Sequence, residues 1–107
     1  MRIVGTEQLA RVVERLVAAV RPEKIFLFGS QAYGSPGAGS DIDVLVVVPD
    51  SAGSADSVYA AAEKSLRGLC LPVELVIRTH GEFEREKGWV SSLPHVVSRK
   101  GRLLYAA

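Results

Sequence analysis

Asp41 and Asp43 stand two residues apart at the entry to an apolar, largely β-branched run from Ile42 to Val48. In an extended strand that spacing sends both carboxylates to one face, with Cα atoms about 6–7 Å apart. Like charges so placed repel each other and resist burial unless a cation joins them, and the usual cation at such a strand end is Mg²⁺ held together with substrate phosphates. A capped turn at Ser40-Asp41 would account for Asp41 alone, but not for Asp43 inside a run of aliphatics. Upstream, Gly29-Ser30 closes an earlier apolar run. Backbone N–H groups and a serine hydroxyl at such a turn make a small anion cradle that fits phosphate. By itself Ser30 reads as a plain helix cap; an anion cradle ahead of a carboxylate pair is an arrangement for a nucleoside triphosphate and a metal. Gly29 to Ser35 contains no lysine and no G-x-G-x-x-G follows, so neither a P-loop nor a dinucleotide fold is supported.

These residues need elements to hold them. Leu9, Val12, Val13, Leu16, Val17 and Val20 recur at helical spacing after Thr6, a suitable cap, and the pattern stops at Arg21-Pro22. Ile25 to Phe28 is a short continuous apolar run, as in a strand buried on both faces. Gly29 to Ser40 holds four glycines, three serines and a proline, which predicts a loop with at most one helical turn at Gln31-Ala32-Tyr33. Ile42 to Val48 reads as the central strand of the sheet. A second helix is expected from Ser54 through Leu69, ended by Gly68, and Pro72 opens a third strand. Alternation in Val73-Glu74-Leu75-Val76-Ile77-Arg78 puts Glu74, Val76 and Arg78 on the face opposite Val73, Leu75 and Ile77. Thr79 and Glu82 form a capping box, which accounts for that segment, including His80, without chemistry. Trp89, Val90, Leu93, Val96 and Val97 suggest a further helix before a short last strand at Arg102 to Tyr105.

Composition limits the alternatives. A chain of 107 residues, 48% hydrophobic and 23% charged, suits one domain spanning 1–107, with a core that needs no disulfide. Thirteen basic against twelve acidic residues leave a net charge of +1, which argues against non-specific nucleic-acid binding. Between Lys24 and Lys64 there is no Lys or Arg, whereas six basic residues against three acidic ones follow from Arg78 onward. Cys70, the single cysteine, sits between Leu69 and Leu71 and reads as a buried, inert thiol. No run is long enough for a membrane span and the first twenty residues carry too many charges for a signal peptide, so a cytoplasmic protein is expected.

Phe28-Gly29-Ser30-Gln31-Ala32-Tyr33-Gly34 followed by Ser40-Asp41-Ile42-Asp43-Val44 resembles the GS-x₃-G…SDxD signature of minimal nucleotidyltransferases, members of the DNA polymerase β-like superfamily. The resemblance covers nearly the whole chain, down to the terminal Gly101-Arg102-Leu103-Leu104-Tyr105 segment. It implies an α/β (α+β) fold: one small mixed sheet of about four strands flanked by helices. By position it gives Gly29 and Ser30 the nucleotide phosphates, Asp41 and Asp43 the Mg²⁺, and Glu74 the role of third carboxylate, as metal ligand and general base. Two departures stand out. The family more often has aspartate where Glu74 stands, and many relatives carry arginines after the GS where this chain has Gln31 and Tyr33, so phosphate charge must be met by Mg²⁺ or elsewhere, Arg78 being one candidate. Small members of this family are commonly antitoxins paired with an all-helical HEPN ribonuclease toxin. The resemblance therefore implies AMP transfer from ATP to a hydroxyl, often a tyrosine, of such a partner, with room for a homodimer. The alternative is a degenerate module that neutralises its partner by contact alone, through apolar surface such as Tyr33, Trp89 or Tyr105, although core is the ordinary place for each of these aromatics.

Overall fold

The computed structural model describes residues 6–29 and 41–107. Helix α1 (Thr6–Val20) leads to strand β1 (Lys24–Phe28), and after residues 30–40 comes β2 (Ile42–Val48). A 3-10 turn at Asp50–Ala52 precedes α2 (Ala55–Leu66), then β3 (Val73–Thr79), α3 (His80–Glu86), α4 (Leu93–Lys100) and β4 (Arg102–Ala106). The sheet order is β3-β2-β1-β4; β1 runs antiparallel to both β2 and β4, and β2 runs parallel to β3. The fold is thus a small mixed sheet with helices on both faces, as expected, and β2 lies inside it.

Alternation along β2 divides the molecule. Ile42, Val44, Val46 and Val48 join Leu9, Val12 and Leu16 of α1 and Val58 and Ala62 of α2 in the larger core. Leu45 and Val47 face the other way, toward Phe26, Phe83 and Val97, in a smaller core beneath the two short helices α3 and α4. Phe26 and Phe83 stack with centroids 5.5 Å apart, which fastens α3 to the sheet. The first face is roofed along its length by α1 and α2, whereas α3 has 7 residues and α4 has 8. At the end where β2 begins this face is less deeply covered, with Phe28 and Asp43 half-buried and Glu74 exposed.

Several boundaries differ from expectation, each for a local reason. Helix α2 ends at Leu66 rather than Leu69, because the Arg67 N–H bonds to the Lys64 carbonyl and Gly68 takes φ +91. Cys70 is exposed, not buried: its φ of +57 belongs to the left-handed turn into β3, where Leu69 and Leu71 pack on the core and the thiol does not. Helix α4 starts at Leu93, not near Trp89, with the Ser92 side chain accepting from the His95 N–H. Pro94 decides this, since its ring and missing N–H confine it to a helix's first turn. Trp89 and Val90 are left in a turn, 55% and 80% exposed, so Trp89 is not a core residue, while Tyr105 does pack against the core. The Thr79/Glu82 capping box is present. Thr6 is the first residue of α1, but its side chain, and with it the expected cap, lies outside the description, as do Ser30, the helical turn at Gln31-Ala32-Tyr33 and the placement of Tyr33. Among the described residues no helix is long and apolar enough to cross a membrane.

At the far end of the sheet His80 Nδ1 lies 2.7 Å from Glu23 Oε1. The hydrogen bond and the negative charge of Glu23 hold the imidazole pKa above its usual value, with Glu84 and Asp50 adding to the effect. A raised folded pKa means that the stabilising contribution is complete below the unfolded value of about 6.5 and is lost as pH rises through the folded one. Glu23→Gln should therefore lower the His80 midpoint in an NMR titration, and the stability gap between wild type and variant should close as pH climbs through that midpoint. A midpoint unmoved by the substitution would remove the pair from the account.

Candidate active site

Three strand ends bring the chemistry together. Phe28, the last residue of β1, pairs with Asp43 of β2, and Asp43 in turn stands opposite Glu74 of β3. Asp43 is on the face shared by Leu45 and Val47, and Glu74 is on the same face as Val76. The Ile42 N–H donates to the Pro72 carbonyl at 2.8 Å, which ties the starts of the two parallel strands and fixes this register. Asp41 is exposed and one residue ahead of the strand.

The carboxyl of Asp43 is held above the usual aspartate pKa, first by partial burial, then by the charge of Glu74 and a hydrogen bond with it, and last by Asp41. Asp43 and Glu74 are neighbours across the two parallel strands. Asp41 reaches the pair through its charge. Among the described residues no cation forms an ion pair with any of the three, and no set of three or more Asp, Glu, His or Cys side chains is already arranged as a metal cage. What exists is a two-carboxylate pair under like-charge strain with a third acid beside it. Hard oxygen donors of this kind fit a hard divalent cation rather than a thiophilic one.

Gly29 completes the geometry. It has φ +73, and a Cβ placed on it would collide with Asp43 Oδ2. The backbone of the β1 turn therefore passes directly beside the carboxylate, a closeness open only to glycine. The sequence pointed to Gly29 as a site of close phosphate approach; the Asp43 side chain in its Cβ space is a second reason that the sequence could not display. Arg78, by contrast, is committed elsewhere: its Nε lies 3.3 Å from Glu86 Oε1 and its Nη1 donates to the Ile77 carbonyl. Sequence reasoning also missed Phe28, half-buried and opposite Asp43, because an apolar residue at a strand end carries no chemical signal. The described hollow of about 360 Å³ bounded by Arg21, Pro49 and Ser57 is at the opposite end of β2 and has no part in this site.

A central β2 bearing acids, a glycine turn against them and a mixed sheet define the nucleotidyltransferase type of fold. The chain belongs to the nucleotidyltransferase domain family, whose model matches residues 7–99. Its fold is shared with a candidate nucleotidyltransferase from Sulfolobus solfataricus (TM-score 0.62, 23% identity, 94% of this chain and 78% of that one). It is also shared with a toxin–antitoxin solved with AMP-PNP (TM-score 0.63, 23% identity, 92% and 73%). A further candidate nucleotidyltransferase matches at TM-score 0.59 and 25% identity, over 94% of this chain and all of that one. No curated protein matches the sequence significantly.

Proposed function

We propose that residues 1–107 act as one minimal nucleotidyltransferase domain that moves AMP from ATP to a hydroxyl, with a tyrosine of a HEPN-type toxin as acceptor and an antitoxin role as the outcome. The observation that carries the reading is the register of Asp43 against Glu74 with Gly29 alongside. The likeness to a toxin–antitoxin solved with AMP-PNP supports the choice of partner and nucleotide. Asp41, Asp43 and Glu74 would hold a divalent cation such as Mg²⁺, which when bound supplies positive charge to the triphosphate. Gly29 and Ser30 would receive phosphate oxygens at backbone N–H groups and the hydroxyl.

In the reaction the acceptor oxygen forms a bond to the α-phosphorus, the bond from that phosphorus to the bridging oxygen breaks, and pyrophosphate leaves with the electron pair. The hydroxyl proton passes to a carboxylate, for which Glu74 is our assignment. It lies on the edge strand, more exposed than Asp43, where an incoming side chain can reach it. Positioning and charge stabilisation supply most of the rate, as in other phosphoryl transfers.

Glu74→Gln should lower transfer by about 10²–10⁴-fold if the carboxylate takes the proton. Glu74→Asp separates roles: a ligand tolerates the shorter arm and keeps its activity, whereas a base moved by one methylene changes the rate markedly. Wild-type turnover in Glu74→Gln under saturating metal would retire both roles. The exposed Trp89 and Val90 favour a second reading, neutralisation by contact alone. Purified protein, Mg²⁺, ATP labelled on the α-phosphate and the product of the adjacent gene decide between them: label on the partner supports transfer, and a stable unlabelled complex supports contact.

A further inference from the structure

The acidic end of the sheet has a neighbour on its other flank. Across that end the residues run Glu74, Asp43, Phe28 and Gly29, and then the start of β4, where Arg102 pairs with Leu27. Just before β4, Gly101 donates its N–H to the Val97 carbonyl at 2.8 Å. A Cβ on Gly101 would lie 2.6 Å from that oxygen and 3.1 Å from the Leu27 carbonyl. The C-terminus of α4 is therefore clamped against β1 two residues from Gly29.

Lys100 is the last residue of this clamped helix. It follows Val97 by three positions and Leu93 by seven, so it shares the stripe that packs α4 onto the smaller core, the sheet face of Asp43 and Glu74. Arg99 falls on the opposite side of the helix. Arg102 pairs with Leu27, whose side chain is in the larger core, and lines a groove with Leu9 and Glu14 of α1 on the other face. Lys100 is exposed and has no carboxylate partner among the described residues, unlike Arg67, Arg78 and Lys87.

A bound triphosphate carries more negative charge than one divalent cation cancels, and the positions after Ser30 that could have supplied cations are Gln31 and Tyr33. Arg78 is taken by Glu86. From the common face, the clamp and the missing charge we infer that Lys100 contacts the β- and γ-phosphates of the nucleotide and stays on pyrophosphate as it departs. A lysine at a helix C-terminus is also favoured by the helix dipole, but that role is indifferent to nucleotide. The inference rests on the nucleotidyl-transfer reading above and gives its triphosphate a cationic side.

Calorimetric titration of the full chain in Mg²⁺ with ATP, AMP and pyrophosphate tests it. Lys100→Met should weaken ATP and pyrophosphate about ten- to a hundredfold, the effect of losing one charged hydrogen bond, and leave AMP unchanged. Lys100→Arg should restore most of the affinity, and Arg99→Ala should match wild type. Melting curves for all three variants verify the folded state. Wild-type affinity for ATP in Lys100→Met, or equal losses for ATP and AMP, overturns the assignment of Lys100 and leaves the carboxylate site untouched. If the wild-type chain binds neither ATP nor pyrophosphate, the transfer reading fails and this inference falls with it.

Discussion

Asp43→Asn should melt a few degrees above the wild-type chain in metal-free buffer while transferring no nucleotide. Its carboxyl is held above the usual range by partial burial and by Glu74 and Asp41, so ionising it at neutral pH costs the folded state free energy. The sign follows from linkage: with the folded pKa raised, the contribution to stability is full below the unfolded value of about 3.9 and lost as pH rises through the folded value. Solvent screens a partly exposed group, so the gain from neutralising it is small but stabilising in sign. The advantage should vanish near pH 3, where the Asp43 carboxyl is protonated. Mg²⁺ should raise the Tm of wild type and leave the variant unmoved, because the charge that offsets like-charge repulsion is also the charge that binds. A variant melting at or below wild type in chelated buffer would contradict the repulsion at Asp43, and unchanged turnover would remove Asp43 from the site.

Gly29→Ala should damage stability and transfer together. The left-handed φ of +73 costs any other residue about 1–2 kcal/mol, and the new Cβ must also displace the Asp43 carboxylate. Moving a reacting group by 1 Å costs about 10²-fold in rate, so transfer should fall by at least that. Gly68→Ala is the matched control: φ is +91 there, yet nothing lies within 4 Å of the added methyl. It should lose comparable stability and keep its rate when assayed below its melting temperature. Equal rates for Gly29→Ala and wild type would show that the carboxylate does not need its present position.

The sequence displays most of what alternates and little of what turns. Ile42 to Val48 and Val73 to Thr79 are legible because period-two burial is written residue by residue, and the same period sets Glu74 with Val76, opposite Leu75 and Ile77, before any contact is seen. What it cannot display is register. That Asp43 meets Glu74, rather than Val76 two positions on, depends on the Ile42 N–H finding the Pro72 carbonyl, a bond between distant segments. Turns fail for the opposite reason, because their backbone angles answer to tertiary packing: Cys70 and Ser91 take φ +57 and +81 with no glycine to announce them. Trp89 misled because its apolar side chain fits helical spacing, when the Pro94 that follows already forbids a helix so early. Lys100 drew no notice, since its place near the end of β1 follows from the close approach of Gly101 to the Leu27 carbonyl and from nothing nearby in the chain.

The parallel pairing of β2 with β3 bears on the timescale of the site. Parallel neighbours need a long crossover, here through α2, so this pairing closes a larger loop than a hairpin does. β3 is also an edge strand, held through its ladder on one side only. Edges open more readily than interior strands, and a transient release of the first residues of β3 would part Glu74 from Asp43 while the helices and β1 remained folded. Amide hydrogen exchange at Val73 to Leu75 then measures how often the acidic pair is dismantled in the native ensemble. A partner that seals this edge would raise protection there before it altered any chemistry.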